Sequence, residues 1–253
     1  VIFFVVAVLA LTGAVQLPLR GIPPEIVAAT PWLLPVIALA GWTPALAGLF
    51  AAAGETGMAG AAAILRRLAP RPGDAVGILA AAALPLAAGA GASALALAWG
   101  EASGPIETGG LAAFAPLLAQ RFVLSGLGEE IGWRGFALPR LQARLHPLAA
   151  SVLLGGIAAA WHWLRGDSFP LHLAAVLPLS VVFTFAYNVT RGSILVCAML
   201  SAALHAATGT LERTVPLLWL GGVADFPVTA VWAWIAVVLI GFTRGRLGLP
   251  REV

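Results

Sequence analysis

Lysine is absent from this sequence, cysteine and tyrosine each occur once, and only 10% of the 253 residues are charged. Each shortage excludes something. A soluble domain needs about 25% charged residues to cover its surface, so much of this surface is left to face lipid. With 60% hydrophobic residues and a mean hydropathy of +0.97, the length reads as a count of membrane spans rather than as one soluble domain. The single Cys197 excludes a disulfide within the chain and any cysteine-based metal motif. All fourteen basic residues are arginine, which with the abundance of alanine, glycine and leucine points to a GC-rich genome. They are scattered and form no stripe, so the net charge of +3 is no footprint for phosphates, and nucleic acid is excluded as a partner. Residues 1–19 lack the charged segment of a secretory signal and read as a first membrane helix.

What is present is a series of apolar runs. A helix crossing about 30 Å of hydrocarbon at about 1.5 Å per residue needs roughly 20 apolar residues. Nearly charge-free runs predict spans near 1–19, 31–54, 75–99, 122–143, 147–164, 170–187, 193–209 and 227–243. The expected fold is therefore all-α, a polytopic membrane helix bundle of about eight transmembrane helices. It forms a single membrane domain over 1–253, without a tandem repeat, a long linker or room for a soluble domain. Residues 110–120 predict an apolar helix lying at the interface before the fourth span. Arg66, Arg67 and Arg71 follow the second span, Arg140 and Arg144 the fourth, Arg191 the sixth, and Arg244, Arg246 and Arg251 the eighth. The alternate loops hold only Arg20, Arg165 and Arg213, which places both termini and the arginine-rich loops in the cytoplasm. Gly89, Gly91, Gly155 and Gly156 are read as close-packing positions between membrane helices rather than as a nucleotide loop. Asn188-Val189-Thr190 fits a glycosylation sequon, but on the predicted cytoplasmic side it carries no weight.

The informative stretch is Gly126-Leu-Gly-Glu-Glu-Ile-Gly-Trp-Arg-Gly135. An ionised group at the bilayer centre costs about 2.5–3.5 kcal/mol or more, so such groups face a protein or water-filled interior and carry function. Glu130 and Arg134 stand four apart, one turn along a helix face, and are expected to pair. Glu129 points about 100° away and stays available for chemistry. His162, between two tryptophans, reads alone as an interfacial histidine, and His205 reads alone as a buried polar group at a helix contact. Helix arithmetic brings them to one depth with Glu129. The turn between spans four and five falls near His146-Pro147, with Glu129 17 residues before His146 and His162 16 after. Both then lie roughly 25 Å from that turn, and His205, 13 residues past Gly192, lies roughly 20 Å in. His146 reads as a loop residue, and His172 as a supporting or structural one.

Glu129-Glu130-x-x-x-Arg134, then Trp161-His162, then His205 on a later span, resembles the CPBP family of CAAX-processing and bacteriocin-processing membrane proteases. That family includes the type II CAAX prenyl endopeptidases. Residues 129–142 and Tyr187-Asn-Val-Thr-Arg-Gly-Ser193 are similar to bacterial members, and the likeness is specific over about 110–210. The resemblance implies an intramembrane endopeptidase in a bacterial plasma membrane, acting on a peptide or protein substrate among membrane lipids. Glu129 would be general base on a water, His162 would hold that water, and His205 would stabilise the oxyanion. Glu130 and Arg134 would support the site. Ala158 stands where the family often has Phe, and Gly209 where it usually has Asn four after the last histidine. An oxyanion donor is thereby missing, to be replaced by Thr208 or a water.

No cofactor is expected. One Glu and two His leave zinc open, since that is a catalytic ligand set, but no His-Glu-x-x-His motif is present. Gly209 also motivates a rival reading, a catalytically impaired member that binds peptides as an immunity or scaffold protein. A small transporter is the weakest reading, because no pair of inverted halves with matching broken helices is apparent.

Overall fold

The computed structural model describes residues 1–19, 22, 26, 29–100, 106–166, 169–215 and 226–249. Among the described residues there are nine helices and no strand. They are α1 (Ile2–Gln16, continued by a 3-10 turn to Leu19), α2 (Leu33–Thr56), the short α3 (Met58–Leu65) and α4 (Asp74–Ala98). After them come α5 (Gly109–Gln142), α6 (Pro147–Leu164), α7 (Phe169–Val189), α8 (Ile194–Thr214) and α9 (Phe226–Thr243). All except α3 overlay the eight expected spans. Among the described residues seven helices are long and apolar enough to cross a membrane, and α2, with 24 residues, is about 36 Å long. Large apolar side chains such as Val76, Leu79 and Phe242 point outwards at 76%, 71% and 86% exposure, as a lipid-facing surface requires. The chain is an integral membrane protein.

One expected boundary is corrected. Residues 110–120 do not form a separate interfacial helix; they run on into the fourth span as the 34-residue α5. Pro116 falls in the first turn of the α-helical part, where its missing N–H breaks nothing. The later irregularity is absorbed by two π-helical stretches, Phe122–Leu127 and Ile131–Ala137, without ending the helix.

Small residues set the packing. The central element is α8, with 72% of its apolar window buried against 22% for α1 and α9. It contacts α4, α5 and α7. Where α5 crosses α2 the two backbones touch: a methyl on Gly128 would sit 2.6 Å from the Gly41 carbonyl oxygen, and one on Gly132 would strike the Pro44 carbonyl. Of the four glycines expected at helix contacts, Gly89 faces Leu211 and Gly155 faces Leu177 and Ser180, while Gly91 and Gly156 face open space. Pro44 lies inside α2 and cannot donate to the Ala40 carbonyl, which instead accepts from the Thr43 hydroxyl at 2.9 Å.

The arginine-rich loops gather at one end of the bundle. Arg67 donates to the Gly135 carbonyl at 3.3 Å and to the Tyr187 hydroxyl. Arg71 donates to the carbonyls of Thr190 and Arg191 at 2.9 and 3.0 Å. Asn188 donates to the Leu247 carbonyl at 2.9 Å and accepts from Gln142 at 3.2 Å. The turn between α7 and α8 is made by Arg191 and Gly192, both at positive φ. Ser193 then caps α8 and donates to Asp74 at 3.2 Å. The Tyr187–Ser193 stretch is thus the clasp of this end. Arg20 and Arg251 lie outside the described residues.

Two outcomes test this architecture. Gly132→Ala is expected to force α2 from α5 and to lower stability by about 1–3 kcal/mol, read as a reduced unfolding temperature in detergent. For topology, Cys197 is fully buried and silent to labels. Arg144→Cys and Glu107→Cys lie beyond opposite ends of α5 and should react with an impermeant maleimide from opposite sides of the membrane, Arg144→Cys from the cytoplasm. Labelling of both from one side would overturn the arrangement.

Candidate active site

Glu129 and Glu130 occupy a three-residue α-helical segment, Gly128–Glu130, between the two π-helical stretches of α5. Such widened turns recur at functional sites because they shift side chains off the regular helical positions. This segment packs against α2 and α8. Both carboxylates are buried, at 7% and 1% exposure, so neither is a solvated charge at a helix end. The expected pair forms: Arg134 Nη1 donates to Glu130 Oε1 at 3.0 Å, and the guanidinium lies 4.4 Å from the centre of the Phe183 ring. Phe183 takes the charge against its ring face, which a bare apolar wall would not.

All five expected site residues line one cavity of about 60 Å³: Glu129, Glu130 and Arg134 from α5, His162 from α6 and His205 from α8. Its size admits a few waters. Its walls ask for them, because Glu129 Oε1, Glu130 Oε2 and Arg134 Nε are buried without a hydrogen bond. His146 lies at the N-terminal end of α6, away from the cavity, as a loop residue.

The guanidinium groups of Arg165, Arg134 and Arg121 act on Glu129, and His162 lines the same cavity. Arg165 was not apparent from sequence, where it was only a loop arginine. It stands three residues after His162, one turn on, with Nη1 3.9 Å from Glu129 Oε1 and the guanidinium 4.6 Å from the Trp161 ring. The signal that would have found it was the i, i+3 spacing to His162. His172 sits beside His162, with ring centres 5.0 Å apart.

Trp161 fixes the helix that carries His162. Its indole N–H is shared by the hydroxyls of Thr12 at 2.8 Å and Thr43 at 3.1 Å, which lie 2.6 Å from one another. Its ring meets Trp133 edge-on at 5.9 Å and His162 at 4.8 Å. Three helices are tied at one residue next to the histidine.

Two expectations about the C-terminal part of α8 change. Thr208 does not replace a donor in the cavity, because its hydroxyl donates to the Leu204 carbonyl at 3.0 Å and lines a different cavity beside Pro85 and Trp232. Gly209 does not line the main cavity either, and a Cβ there would meet Arg213 Nη1 at 3.2 Å and Leu117 at 3.4 Å. Among the described residues no three His, Cys, Asp or Glu side chains converge to hold a metal ion. No step is derived through a metal.

Removing one partner of the buried pair strands the other. Glu130→Ala is expected to destabilise the protein by about 3–5 kcal/mol, and Glu130→Ala with Arg134→Met to recover much of that loss. Thermal unfolding in detergent reads both, and equal stability of wild type and Glu130→Ala would show that the pair holds nothing.

Residues 111–211, which contain all five expected site residues, match the family model described as type II CAAX prenyl endopeptidase Rce1-like. No curated protein matches the chain in sequence. The family is one of membrane endopeptidases with peptide or protein substrates. The cavity and the match fall on the same residues: residues 111–211 of this integral membrane protein are similar to the Rce1-like type II CAAX prenyl endopeptidases.

Proposed function

We propose that this protein hydrolyses a peptide bond of a membrane-associated protein, or of a secreted or bacteriocin-like peptide, at the bacterial plasma membrane. The observation that carries the reading is the unbonded Glu129 Oε1 in a water-sized cavity shared with His162 and His205. In this mechanism Glu129 takes a proton from a water held by His162, and the water oxygen bonds to the scissile carbonyl carbon. The carbonyl oxygen takes up the electron pair, and His205 donates to it. Collapse re-forms the carbonyl, breaks the C–N bond and passes the proton from Glu129 to the leaving nitrogen, giving a carboxylic acid and an amine. Glu130 and Arg134 neutralise one another and hold α5 in register. Arg165 supplies a positive charge beside the base.

Glu129→Gln keeps the shape and removes the base. It is expected to lower cleavage by at least about 10²-fold while the protein stays folded, with His162→Ala close behind. A chelator is expected to leave the rate unchanged. Full activity of Glu129→Gln would remove Glu129 from the mechanism, and loss to a chelator restored by zinc would replace it with a metal.

Gly209 favours a second reading, a family member that binds peptides without cutting them. It predicts equal peptide binding by wild type and Glu129→Gln, and cleavage by neither, in peptidomics of membranes with and without the protein.

A further inference from the structure

Two serines line the same cavity beside the five residues described, Ser180 on α7 and Ser201 on α8. Ser180 is committed: its hydroxyl donates to the Ser151 carbonyl at 2.8 Å and accepts from the Ser151 hydroxyl at 3.4 Å. Ser201 is not. It is 2% exposed, and among the described residues its hydroxyl makes no hydrogen bond. A hydroxyl inside a helix usually bonds back to a carbonyl one turn earlier. Ser125, Thr190, Thr208 and Thr214 do so here, and the buried hydroxyls that do not, Ser93, Thr184 and Thr210, do not line this cavity. The Ser201 O–H has been left open at a cavity wall, four residues before His205 and hence on the same helix face.

We propose that Ser201 is a catalytic residue, the second oxyanion donor beside His205. This rests on the hydrolytic reading above. The donor absent at Gly209, one turn after the histidine, is supplied one turn before it, from a position that lines the cavity as Gly209 does not. When water adds to the scissile carbonyl, the carbonyl oxygen takes the electron pair, and the Ser201 and His205 donors both meet it. When the C–N bond breaks, that pair returns to the carbonyl and the two donors are released. Ser201 forms no covalent bond and loses no proton. The arrangement works because the donor is in place before charge develops and need not break another bond to serve.

The test is steady-state kinetics on one peptide that the wild type cleaves, with Glu129→Gln as control. Ser201→Ala is expected to lower kcat by about 10²–10³-fold with little change in KM, because the donor acts only as charge develops. Its unfolding temperature should match the wild type, since the hydroxyl holds no neighbour. Ser201→Thr restores the hydroxyl and should recover much of kcat. A kcat for Ser201→Ala within about threefold of wild type, while Glu129→Gln is inactive, overturns the Ser201 assignment and leaves the hydrolytic reading standing. A fall in unfolding temperature for Ser201→Ala marks a structural hydroxyl and overturns it too. Equal rates for wild type and Glu129→Gln overturn both readings together.

Discussion

Two adjacent carboxylates inside a lipid-facing bundle are the constraint on which the rest of this structure depends. Neither can face hydrocarbon, so the helix that carries them must be enclosed. Enclosure brings α2 and α8 against it, which the glycines at 41, 126, 128 and 132 allow by letting backbone meet backbone. One carboxylate is then neutralised along its own helix by Arg134. The other meets the guanidinium of Arg165 only at 3.9 Å and lines a cavity with His162 and His205. The difference in partners divides the labour: the first holds the helix, and the second is left with a lone oxygen for water.

The two ends of the bundle serve different purposes. At the arginine-rich end, guanidinium groups and Asn188 bond mainly to backbone carbonyls across helices. Such bonds lock loops without asking for a precise side-chain partner. Toward the other end Arg165 and Arg121 bring positive charge near Glu129. The groups proposed to act come from three helices, α5, α6 and α8, so the working geometry belongs to the assembled bundle and to no single segment.

Much of this was legible because membrane helices write their length into composition. Span positions, the Glu130–Arg134 pair and the shared depth of Glu129, His162 and His205 all follow from 1.5 Å and 100° per residue. What depends on partners distant in sequence was not legible. The unbroken α5 needs its π-helical turns, which no residue pattern announced. Tyr187–Ser193 read as part of the family text, yet it clasps the opposite end, because its partners Arg67 and Asp74 come from the connection into α4 and Leu247 from the segment after α9. Nothing in the sequence marks Ser201, and it is its place on the cavity wall that sets it apart from other buried hydroxyls.

The Thr12–Thr43–Trp161 junction bears on how the chain is made. Synthesis runs from the N-terminus, so α1 and α2 are inserted long before α6 exists. In the meantime the two hydroxyls are within reach of one another at 2.6 Å, and each also has a carbonyl on its own helix, of Val8 and Ala40. The early hairpin can therefore wait in lipid with its polar groups satisfied. When Trp161 arrives, its N–H finds acceptors already facing inwards. The same event that completes the junction sets the neighbouring His162, while His205 waits for α8, so the cavity closes only once the later helix has been made.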